Sequence, residues 1–103
     1  MRLGRRPFAD LVSRQLDLFV ADEVALLEEA GAAEVAWQRA GRDEAEEAYG
    51  DWQLVADAIA ERLLDLRETY AGTLDEATGG TYRDTFDRAA RRRFPRFPEL
   101  LDP

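Results

Sequence analysis

"AEEAYGDWQLVADAIAERLLDLRETY", residues 45–70, decides the fold. Its apolar residues Ala45, Ala48, Tyr49, Trp52, Val55, Ala56, Ile59, Leu63, Leu66 and Tyr70 recur at steps of three and four. That spacing lays one apolar stripe along an α-helix. Asp57, Glu61 and Asp65 follow at steps of four and predict a solvated outer face. Asp43 and Glu46 are placed as a capping box at the start, and Glu44, Glu46 and Glu47 fill a first turn where the helix dipole favours negative charge. With Gly72 as a stop, the pattern predicts a helix over about 43–71.

Upstream, Pro7 suits a first helical turn. Phe8, Leu11, Val12, Leu16, Phe19, Leu26, Ala30, Ala33 and Trp37 fall on a second stripe, which predicts one helix over about 8–40. Gly41 is expected to end it in the left-handed conformation, and Gly31 marks a weak point or a close helix contact. Glu23 lies at the edge of the stripe, and pairing with Arg62 or Arg67 would favour one packing register. Downstream, "TLDE" (Thr73 to Glu76) reads as another capping box. Leu74, Ala77, Tyr82, Phe86, Ala89 and Ala90 continue at helical spacing over about 74–93. The period survives Gly79-Gly80, so a single helix with a weak middle is expected, each glycine costing about 1 kcal/mol relative to Ala. Pro95 stops it and leaves an extended tail over 94–103.

A short turn between two long helices forces them antiparallel. The chain of 103 residues has room for one core. The reading is an all-α single domain: a long antiparallel helical hairpin plus a third helix, completed to a four-helix or larger bundle by self-association.

The residue types exclude whole chemistries. There is no Cys, His, Lys or Asn, and all fourteen basic residues are Arg. No catalytic triad, thiolate nucleophile, disulfide, zinc site or imidazole base is available from this chain. Carboxylates with hard metals, Arg and Tyr remain. Scarce AT-rich codons (one Ile, Ile59; no Lys or Asn) suggest a GC-rich bacterial genome. The opening "MRLGRRPFADL" lacks the apolar stretch of a signal peptide, so a cytoplasmic location is expected.

Net charge is −8 and is unevenly spread. Residues 1–14 hold four Arg against one acid, residues 15–82 four Arg against seventeen acids, and residues 83–103 six Arg against four acids. An acidic hairpin repels phosphates, so nucleic acid is not an expected partner. The basic, aromatic ending "RRRFPRFP" (Arg91 to Pro98) has neither lipid anchor nor amphipathic length, so a membrane is not expected either. Arg91, Arg92 and Arg93 suit a last helical turn, where cations oppose the dipole. Phe94 and Phe97 are then placed to cover the hairpin's stripe, with Arg96 reaching its acidic face or that of a second copy.

Two stretches, "LLEEAGAAEVAW" and "DEAEEAYGDWQLVADAI", resemble the all-α NTP pyrophosphohydrolases of the MazG-like family. That family pairs an ExxE on one helix with an ExxD on the next to hold Mg²⁺. Glu29 matches the first ligand and Asp51 the last; Glu28-Glu29 and Gly50-Asp51 match the family's double Glu and Gly-Asp. Ala32 and Ala48 stand where the inner ligands belong. The resemblance implies a degenerate nucleotide pyrophosphohydrolase with a lost or incomplete Mg²⁺ site. In it Glu29 and Asp51, helped by Glu28 and Glu47, would be the ligands, and Arg92 and Arg93 would meet phosphates.

The residues themselves favour a non-enzymatic protein with no cofactor, acting through contact with a second copy of itself or another protein. Trp, Tyr and Arg dominate such contacts. The expected set is Trp37, Tyr49, Trp52, Tyr82, Phe86, Arg92, Arg93, Phe94 and Phe97.

Overall fold

A computed structural model describes residues 7–96. Four helices make up this part: α1 (Ala9–Asp22), α2 (Val24–Arg39), α3 (Ala45–Ala71) and α4 (Glu76–Arg93). The fold is all-α. Among the described residues there is no strand, and no helix is long and apolar enough to cross a membrane.

The helix expected over 8–40 is two helices. Glu23 adopts φ −111°, ψ 29° and interrupts it. Its N–H still donates to the Phe19 carbonyl at 2.9 Å, and its own carbonyl accepts from Leu27 N–H at 2.9 Å, so the break is one residue wide. No glycine or proline causes it. The cause is tertiary: α1 packs on α4 and α2 packs on α3. Glu23 is held there by Arg62, one of the two partners expected for it.

Three elements meet at one end of the molecule. The second half of α3 runs antiparallel to α4, joined by Arg67–Asp87, Glu68–Arg83 and the tilted ring contact Tyr70–Tyr82. α1 lies parallel to α4, joined by Gln15–Tyr82, Asp17–Arg93 and Phe19–Phe94. Val12, Leu16, Ile59, Leu63, Tyr82, Phe86 and Ala90 fill the centre of this three-helix bundle. Phe8, at the left-handed φ of 69°, sets its ring edge-on to Tyr82 and Tyr70 and closes the bundle's end.

α2 and the first half of α3 leave the bundle together as a two-helix arm. The molecule is accordingly 55 Å long and only 26 by 23 Å across. At 1.5 Å per residue α3 alone accounts for about 40 Å of that length.

The ends of the helices correct several local expectations. At the arm's tip Ala40 is extended (φ −65°, ψ 137°), and Gly41 does not take the left-handed conformation. Asp43 caps nothing; the residue before α3 is Glu44, without a side-chain capping bond. α4 is capped by Asp75 rather than Thr73, accepting from Thr78 N–H at 2.9 Å and Thr78 Oγ1 at 3.0 Å. α4 runs unbroken through Gly79-Gly80. Gly79 is buried, with the Ala71 carbonyl 3.5 Å from where a Cβ would sit.

Candidate interaction surfaces

The arm is the unusual part. Ala30 on α2 and Ala56 on α3 are its last fully buried residues; between residues 31 and 55 no side chain is fully buried. Two helices cover only one stripe of each other; among the described residues no third helix packs on this stretch, and Arg96, beyond α4, reaches it through an ion pair with Glu34 at 2.8 Å.

Trp37, Tyr49 and Trp52 form one cluster near the tip. Ring centroids are 4.8 Å apart for Trp37–Tyr49, 5.3 Å for Trp37–Trp52 and 5.9 Å for Tyr49–Trp52. The cluster ties α2 to α3, while Tyr49 stays exposed. Of the other expected contact residues, Tyr82 and Phe86 are fully buried in the bundle core, and no partner could touch them. Phe94 is buried against Phe19 at 5.9 Å. Phe97 lies outside the described residues. Arg92 and Arg93 are exposed on α4.

The sequence reading missed a second set. Leu18, Val24, Val35 and Leu54 are exposed, Leu54 at 72%. A signal was present: each is an apolar residue that the two helical stripes leave out. Val35 and Leu54 belong to the arm.

A groove of about 500 Å³ runs between α2 and α3 on the arm. Glu29, Ala32, Ala36, Ala48, Asp51 and Leu54 line it. The four positions singled out by the family resemblance therefore share one face. Glu47 borders a neighbouring depression with Asp51, and Glu28 is exposed outside the groove. These residues do not fit a metal: two of the four facing positions are Ala, and among the described residues no group of three or more His, Cys, Asp or Glu could hold an ion. Arg92 and Arg93 line a different cleft, between α1 and α4, so the resemblance's phosphate contacts are not placed at this groove.

Electrostatics inside the bundle are structural. Arg67 Nη1 donates to both Asp87 carboxylate oxygens, at 2.7 and 3.0 Å, largely shielded from solvent. Glu68 accepts from Arg83 at 2.8 and 2.9 Å, which with Arg67 holds its carboxyl below the usual range. Burial pushes the Tyr82 hydroxyl up to about 12, and that hydroxyl donates to Gln15 Oε1 at 2.7 Å. No known protein family, curated protein or solved structure matches the chain.

Proposed function

We propose that this is a non-enzymatic cytoplasmic protein that works by self-association, the arm of one copy packing on the arm of a second to make a four-helix bundle. The observation that carries this reading is the absence of any fully buried side chain between residues 31 and 55 in a segment holding Val35, Trp37, Tyr49, Trp52, Leu54 and Val55. An apolar face of this kind is ordinarily covered. Alanines in the groove allow close helix approach, and Leu54 supplies the protruding side chain. Charge supports an antiparallel, two-fold arrangement. Arg39 and Arg42 at the tip make no ion pair among the described residues. Antiparallel pairing sets them against the other copy's acidic base, where Glu28 and Asp57 are exposed.

Light scattering across a concentration series tests it. A mass of about 23 kDa, twice the 11.7 kDa chain, is expected. Leu54→Glu should return the single-chain mass with unchanged helix content, because Leu54 is solvated in the monomer. A single-chain mass for the wild type up to millimolar concentration would sink the proposal.

A second reading rests on Glu29, Ala32, Ala48 and Asp51 sharing one groove: a MazG-like hairpin that has lost its metal site. The check is Ala32→Glu/Ala48→Glu. On this reading the double variant gains a thermal shift with Mg²⁺ that the wild type lacks, and a wild-type protein hydrolysing nucleoside triphosphates would contradict the lost site.

A further inference from the structure

The cleft between α1 and α4 has a different character from the arm. It measures about 350 Å³, at the small end of ligand sites. Ala9 and Ala89 flank it and Val12 and Leu16 close it from below, so its floor is apolar. Ser13, Arg88 and Arg92 stand at its rim.

Of the three arginines that line it, Arg88, Arg92 and Arg93, two lack counter-ions. Arg83 pairs with Glu68 and Arg93 with Asp17. Arg88 and Arg92 make no ion pair or hydrogen bond among the described residues, in a chain with 22 acids to 14 Arg. They are four residues apart on one helix face, where like charges repel. The C-terminal dipole accounts for Arg92 in the last turn but not for Arg88, which lies beyond its reach.

We propose that this cleft binds a small carboxylate with a hydrocarbon body: the head bridged by Arg88 and Arg92, the body along Ala9 and Ala89. A guanidinium pair matches a planar carboxylate, and an alkyl chain uses a floor that inorganic anions leave bare.

Titrating the full-length protein with sodium octanoate, followed by amide NMR and calorimetry, tests this. Shifts clustered at residues 9–16 and 85–92 are expected. Arg88→Gln/Arg92→Gln should weaken binding at least tenfold, and Ala89→Leu, which fills the cleft, should abolish it, both with unchanged circular dichroism. Three results overturn the proposal: no clustered shifts, equal binding of octanol (the charge is not read), or equal binding of inorganic phosphate (the floor is not used).

Discussion

Tyr82 shows how one residue serves core and polarity together. Its ring is fully buried between Phe8, Tyr70 and Phe86, and its hydroxyl reaches Gln15. Burial favours the neutral phenol, so its folded value of about 12 lies above the ordinary 10.0. A raised folded value gives stability that is complete below pH 10 and fades as pH climbs toward 12. Urea denaturation at pH 8 and at pH 11.5 should show a loss of about 2 kcal/mol in the wild type. Tyr82→Phe should lack that alkaline limb and cost about 1 kcal/mol at pH 8, through the lost hydrogen bond. Gly31 is the opposite case, an exposed helical glycine whose added Cβ would meet nothing within 4 Å. Gly31→Ala should raise stability by about 0.5–1 kcal/mol in the same assay. The sequence raised two roles for Gly31, a weak point or a close contact, and the open space around it removes the second within the chain. Glu23 was more legible: an acid at the edge of an apolar stripe, it pairs with Arg62, 39 residues on and one of the two partners the sequence offered.

At the scale of elements, periodicity placed the body of each helix but not its ends. The turn after α2 is made by an extended Ala40 and the cap of α4 by Asp75, each one or two residues from where composition pointed. Caps depend on single dihedral angles, which neighbours decide; stripes depend on many side chains at once. The break between α1 and α2 was illegible for another reason. It answers to α4, more than fifty residues away, and leaves no glycine or proline as a mark. α3 and α4 are locked by Arg67–Asp87, a shielded pair with two short bonds. Removing one partner strands the other charge. Asp87→Ala should therefore cost about 2 kcal/mol by chemical denaturation. Arg67→Met/Asp87→Leu should recover most of it, since no charge is then left buried. A loss for the double variant equal to the single one would show that shape, not charge, is the issue.

The whole molecule divides its stability between two ends. One end has a closed core of three helices; the other has an arm whose apolar residues remain half covered. This division was only partly visible in the sequence, because a stripe shows which residues face inward but not whether anything stands opposite them. It also makes the two ends separable by experiment. Phe94 belongs to the bundle, buried on Phe19 at 5.9 Å. Phe94→Ala should lower stability by about 3 kcal/mol and leave self-association untouched. Association through the arm makes the melting temperature climb with protein concentration. Phe94→Ala should shift that line downward by a constant amount, its slope preserved, whereas Leu54→Glu should flatten it. Leu54 is exposed on the arm and Phe94 is buried on Phe19 in the bundle, so their effects should combine additively at any one concentration. A flattened line for Phe94→Ala would mean that the bundle, with the arginine-rich end of α4, forms part of the contact between copies, and the arm would then be the wrong surface.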